Sequence, residues 1–138
     1  MKNRFFEEAR KESYLSDYDG AHLGAVAVYK NKFILARAHN TDKTNPTQYF
    51  YNRYRIEGKS DIMLMPPRSH CETNLYRKVR YLDIDFKDLI IYIYREHKDG
   101  TKAIARPCPS CEKLLKDLGI RIVCYTTDSG IVEERYDF

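Results

Sequence analysis

No stretch of this 138-residue chain is long and apolar enough to span a bilayer. Its opening, MKNRFFEEARKE, is charged where a secretion signal would be apolar. These two absences point to a soluble, cytoplasmic protein. There is no tryptophan, and the aromatic content rests on 12 tyrosines and 6 phenylalanines. No segment repeats and none is of low complexity, so a solenoid or a fibrous array is excluded. Cysteine is scarce. Four in a chain without the marks of a small secreted scaffold argue against a disulfide framework and for metal or catalytic use. What remains, 43% hydrophobic residues, fits one compact domain over residues 1–138 with a real core.

The net charge of +4 is modest, but it is unevenly placed. Residues 51–80 hold seven Lys or Arg against Glu57, Asp61 and Glu72, whereas residues 128–138 hold four acids and one arginine. The asymmetry suggests an anionic partner near the middle of the chain, against the plainer reading of a solvated charged surface.

Hydrophobic periodicity gives the order α-β-β-α-β-α-β-β. Residues 3–15 read as a helix with Phe5, Phe6 and Ala9 on its apolar stripe. Residues 23–29 and 33–38 read as a hairpin turning near Asn31. Residues 40–69 are irregular, with a short helix expected near 47–54 and functional loop around it. A helix then runs from His70 to about Tyr81. "DLIIYIYRE" is apolar at nearly every position and reads as a central strand buried on both faces. "PCPSCEKLLKDLG" reads as a helix with Cys108 near the N-cap, Pro109 at the first position and Gly119 just past the end. "IRIVCYTT" and "IVEERYDF" are strands joined through "DSG". A sheet with helices on both faces is the architecture this order implies.

Two short motifs carry chemistry. "PRSHCETNLYRKV" sets His70 two residues before Glu72. Ser69 and Glu72 also spell a capping box, which accounts for the glutamate but not for the histidine. Cys108-Pro-Ser-Cys111 is a CxxC step at a second helix start, where the helix dipole favours thiolates. Alone, CxxC also suits a redox dithiol or a structural zinc knuckle. With His70 at another helix start, it predicts three ligands converging on one zinc, with the fourth position open to water. Cys71 is one helical step round from His70 and is expected to pack in the core. Cys124 is expected to pack within its strand. His22, His39 and His97 have no ligand spacing and are expected in surface or loop roles. The non-enzymatic alternative is a nucleic-acid-binding module with a structural zinc closed by Cys71 or Cys124.

His70-x-Glu72 followed by Pro107-Cys108-x-x-Cys111 resembles the signature of the cytidine deaminase-like superfamily. The resemblance covers the chain from about Leu23 onward. It implies an α/β, three-layer fold: a five-stranded mixed sheet, helices on both faces, the last two strands an antiparallel hairpin. Where that family usually has a small residue this chain has Cys71, and where it is usually aliphatic this chain has Tyr76. The resemblance further implies one catalytic zinc with a bound water, and Glu72 as the catalytic group that moves the water's proton to the ring and to the departing amino group.

Cytosine is the expected base. The resemblance also implies that Asn40, at the end of the second strand, meets the substrate sugar; the plainer reading is a turn-forming asparagine. Tyr125 and Thr126, at a C-terminal strand end, are expected near the substrate. "TQYFYNRYR" interleaves aromatics with Arg53 and Arg55, as single-strand binders do. The expected substrate is therefore cytosine in single-stranded DNA or another polynucleotide. The alternative is a free nucleoside or nucleotide, with this segment as a lid.

Overall fold

A computed structural model describes residues 3–54 and 67–136. It contains helix α1 (Asn3–Ser13), strands β1 (Leu23–Tyr29) and β2 (Phe33–His39), and helices α2 (Pro46–Tyr51) and α3 (Cys71–Val79). Strand β3 (Leu89–Arg95), helix α4 (Pro109–Leu118) and strands β4 (Ile122–Thr127) and β5 (Gly130–Arg135) follow. The order is the one the periodicity predicts, with the short helix expected near 47–54 present in addition as α2. α1 and α3 each end two residues early, because Leu15 and Tyr81 are left largely in solvent and no burial prolongs the helix.

The sheet order is β2-β1-β3-β4-β5. β1 is antiparallel to both β2 and β3, β3 is parallel to β4, and β4 is antiparallel to β5. Consecutive left-handed residues Lys30 and Asn31 (φ 52° and 56°) form the β1–β2 turn, matching the twist of a tight hairpin. β3 is central and buried on both faces. Leu89, Ile91 and Ile93 face Leu75 and Val79 of α3 and Leu114 and Leu115 of α4. Tyr92 and Tyr94 face Phe5, Phe6 and Ala9 of α1. The three layers are thus α1, sheet, and α3 with α4. Among the described residues no helix is long and apolar enough to cross a membrane.

This topology decides where a site forms. α3 runs toward the start of β3, so its own N-terminus lies at the opposite end of the sheet. α4 leaves the end of β3, so its N-terminus lies there too. β2 is parallel in sense to β3 and also ends there, at Asn40. Ligands of α/β sheets gather at such strand ends. The sequence gives no sign of one further device. Residues 41–45 pair with 67–69 through backbone hydrogen bonds from Thr41 to Ser69 (3.0 Å), Ser69 to Lys43 (3.0 Å) and Asn45 to Pro67 (3.0 Å). That pairing fixes the approach to His70.

Candidate active site

The start of α3 differs from the predicted capping box. His70, not Ser69, is the N-cap, and its side chain makes no capping hydrogen bond. Ser69 is committed to the backbone pairing with Thr41 and Lys43. The missing acceptor comes from α2. Gln48, fully buried, accepts at Oε1 from the His70 backbone N–H (3.1 Å) and from the Thr73 hydroxyl (2.5 Å). Glu72 is therefore not spent on a cap. It is 3% exposed, and its Oε1 accepts from the Cys71 thiol at 2.9 Å. α4 begins as predicted, with Cys108 at the N-cap, Pro109 next and Gly119 left-handed (φ 106°) beyond the end.

The two helix starts bring three ligand atoms together. His70 Nδ1 lies 3.6 Å from Cys108 Sγ and 3.3 Å from Cys111 Sγ. All three atoms fall within 4.8 Å of one another. Tetrahedral zinc with Zn–N and Zn–S bonds of usual length separates N from S by about 3.5 Å, so the donor set and its spacing fit zinc. The hydrogen bond from Cys111 pulls the Cys108 thiol down to about 3 and, with burial, holds Cys111 well above its usual value. Among the described residues this is the one such cluster, and it has no fourth protein ligand. Cys71 is fully buried, hydrogen-bonded to Glu72, and held protonated by burial. Cys124 packs against Phe5 and Tyr92 on the other face of the sheet. Neither closes the site, which removes the purely structural zinc reading.

A cleft of about 410 Å³ opens on these groups. Glu72, His70 and Cys108 lie in its wall, along with Tyr18, Asn40 and Asn52. Burial raises the pKa of Glu72, partly opposed by His70. Three arginines, Arg68, Arg95 and Arg106, line the same cleft. A buried carboxyl beside an open three-ligand metal position, in a cleft large enough for a nucleoside, is an arrangement suited to hydrolysis.

Residues 1–127 match the profile of a family described as the cytidine and deoxycytidylate deaminase zinc-binding region. The chain belongs to that family. This deaminase is thus a zinc-dependent hydrolytic enzyme, with His70, Cys108 and Cys111 able to hold its one metal ion. No curated protein matches its sequence. Its fold is similar to that of a cytidine deaminase from Burkholderia pseudomallei. The two are 13% identical with a TM-score of 0.65, over 98% of this chain and 92% of that one. It is also similar to the dCMP deaminase of cyanophage S-TIM5 in its apo form, at 21% identity and a TM-score of 0.60, over 92% and 86% of the two chains. The complex of that phage enzyme with dCMP and dUMP gives 22% and 0.60, over 92% and 84%. Purified deaminase is expected to carry about one zinc per chain. X-ray absorption showing four protein ligands would contradict the open site.

The other residues singled out from sequence are dispersed. Asn40 lines the cleft of the deaminase, but its amide is in local use: Oδ1 accepts from Leu23 N–H (3.0 Å) and Nδ2 donates to Ala21 O (2.7 Å). Thr126 is fully buried, its hydroxyl donating to Ala103 O at 2.8 Å and accepting from Arg95 N–H at 3.2 Å. Tyr125 is buried, and its hydroxyl donates to Glu134 at 2.9 Å. Neither is in the cleft wall; Thr126 is instead tied to the 103–105 segment, its carbonyl accepting from Ala105 N–H at 2.9 Å. Arg53 is exposed, donates to Phe50 O (2.8 Å) and lies over the Phe50 ring at 4.2 Å. Arg55 is outside the described residues. His39 differs from expectation too. It lies on β2, half-buried, with Nδ1 2.6 Å from Glu12 of α1.

Sequence reasoning missed Arg95, Arg106, Gln48 and Asn52. Two signals were available. Arg95 ends the central strand, and Arg106 directly precedes the Pro-Cys motif. Gln48 and Asn52 leave no such mark.

Proposed function

We propose that this enzyme hydrolyses the C4 amino group of cytosine in a free nucleotide, giving the uracil nucleotide and ammonia. The observation that carries the phosphate is the trio Arg68, Arg95 and Arg106 in one cleft with Glu72. Arg106 forms a two-point pair with Glu134 (3.1 and 3.0 Å), and Arg68 pairs with exposed Asp42 (3.2 Å). Arg95 has no carboxylate partner among the described residues; its guanidinium donates to Ile104 O at 3.3 Å. A cation in a cleft without a counter-charge favours an anionic ligand, and guanidinium suits phosphate.

In this reading His70, Cys108 and Cys111 hold zinc, which when bound makes the attacking water more acidic. Glu72 accepts the proton that this water loses and delivers it to ring N3. Addition at C4 breaks the ring double bond. Glu72 then takes the proton of the new C4 hydroxyl and passes it to the amino group, so that the C4 carbonyl forms as the C4–N bond breaks and ammonia leaves. Burial favours the neutral carboxylic acid of Glu72, the form needed to protonate N3. The Cys71 thiol bonded at Oε1 holds the carboxyl in one orientation.

The test offers deoxycytidine, deoxycytidylate and single-stranded DNA in parallel and measures uracil. Deoxycytidylate is expected to be preferred. Arg95→Gln is expected to lower kcat/KM for deoxycytidylate by about 10–100-fold, the worth of one charge-assisted contact. Deoxycytidine should be left within about twofold, since it carries no phosphate for that contact. Equal losses on both compounds would refute the phosphate role.

A second reading, cytosine in single-stranded DNA, is favoured by the surface of residues 49–54. Tyr49, Phe50 and Tyr54 are exposed, with Arg53 over Phe50 and Lys113 5.7 Å from the Tyr54 ring. Against it, Gln48, Tyr51 and Asn52 of the same segment face inward. Oligonucleotides deaminated faster than deoxycytidylate, with a steep fall in rate as salt rises, would establish this second reading in place of the first.

A further inference from the structure

The cleft contains one side-chain amide whose donor is unused. Asn52 is 3% exposed and lines the cleft. Its Oδ1 accepts from Gln48 Nε2 at 2.8 Å. Its Nδ2 has no hydrogen-bond partner among the described residues, yet it is not among their fully enclosed unpaired atoms, which are Asn45 Nδ2 and the Tyr136 hydroxyl. The nitrogen is therefore not fully enclosed, and the residue that carries it lines the cleft.

The orientation of this amide is fixed by chemistry and does not depend on which way an amide is drawn. The His70 backbone N–H can only donate, so the Gln48 atom 3.1 Å from it must be oxygen. The other end of Gln48 is then nitrogen, which must donate to the oxygen of Asn52. That leaves the Asn52 NH2 as the unused end. The backbone N–H of His70 thus dictates, through two buried amides, that a hydrogen-bond donor is left unused on a residue of the cleft wall. Nearly buried polar groups are ordinarily paired, and one left open to a binding cleft is available to a ligand.

We infer that Asn52 is a substrate-binding residue that donates to an oxygen acceptor of the nucleoside, either the ring carbonyl or a sugar oxygen. The inference rests on the proposed reading of the cleft as a cytosine nucleotide site. The three arginines serve the charged end. A neutral amide two links from His70 serves the end beside the reacting ring. Asn40, by contrast, already uses both ends of its amide on Ala21 and Leu23.

Asn52→Asp tests this, because a carboxylate still accepts from Gln48 Nε2 but has no N–H to offer. Zinc content and melting temperature should match the parent. In a Glu72→Gln background, which stops turnover, equilibrium binding of deoxycytidine and of deoxycytidylate should both weaken by about tenfold or more. The loss on deoxycytidine is the decisive one, since charge repulsion adds to the loss on deoxycytidylate. Unchanged deoxycytidine binding would overturn the inference. So would a loss confined to deoxycytidylate, since that is charge repulsion alone, or a loss of zinc, since that is a structural role. Asn52→Ala, which removes the donor together with the acceptor, serves the same comparison should the aspartate variant fail to fold. Failure of the underlying reading has a different signature: the parent protein then binds and deaminates neither compound.

Discussion

Glu72→Gln is expected to abolish deamination while leaving the protein folded and loaded with zinc. General acid–base help from one side chain is worth about 10²–10⁴ in rate. In the proposed mechanism one carboxyl handles both transfers, so the loss should reach about 10⁴-fold or more. Glutamine has the same shape and can accept from the Cys71 thiol at the same oxygen, so the contact at 2.9 Å survives. No capping bond is lost either, because Gln48 and not Glu72 satisfies the start of α3. Burial disfavours the charged form of Glu72, so the neutral amide should leave stability within about 1 kcal/mol of the parent or slightly raise it. Single-turnover deamination, metal analysis and thermal unfolding check the three parts together. A folded, zinc-loaded variant with a tenth of the parent rate would remove Glu72 from the role.

The metal centre was legible in the sequence because its parts are local. His70 with Glu72, and Cys108 with Cys111, each lie within a single helical turn, so spacing sets much of their geometry. The strands were legible for a similar reason. Continuous apolarity in "LIIYIY" is what a strand buried on both faces requires, and β3 is buried on both faces. The rest depends on contacts between segments. Ser69 and Glu72 have the spacing of a capping box, but 41–45 pairs with 67–69 and draws Ser69 into a ladder. The cap then passes to Gln48, 22 residues upstream, which no local pattern can reveal. Tyr125 and Thr126 lie at a strand end, where substrate contact is a fair expectation. Residues 103–105 hydrogen-bond to Thr126 there, and Arg106 lines the cleft instead. The segment 48–54 reads as an alternation of aromatics and arginine, yet helical folding divides it. Tyr51 turns inward, with its hydroxyl on Asp117 at 2.8 Å, while Phe50 and Arg53 turn outward.

Gly24→Ala is expected to be the most damaging glycine-to-alanine change among the described residues. Gly24 sits inside β1, where a glycine ordinarily weakens a strand. Its place is explained by α1, which crosses β1 at this point with backbone against backbone. A Cβ here would lie 2.1 Å from Ala9 O and 2.5 Å from Ser13 N. Both are main-chain atoms, so trimming a neighbouring side chain relieves nothing, and the helix itself must move by about an ångström to restore ordinary contact. Moving it loosens Phe5 and Phe6 from Tyr92, whose rings now lie 5.2 and 5.1 Å away. It also strains the Glu12–His39 contact of 2.6 Å that ties α1 to the end of β2, directly before Asn40 in the cleft. Overpacking of this severity costs about 3–5 kcal/mol, a large part of the usual stability of a domain. For a chain of this length the melting temperature should fall by roughly 10–20 °C. The substitution touches neither the ligands nor Glu72, so protein folded well below its new melting point should still bind zinc. A melting temperature within about 2 °C of the parent would mean that α1 does not rest on β1 at Gly24.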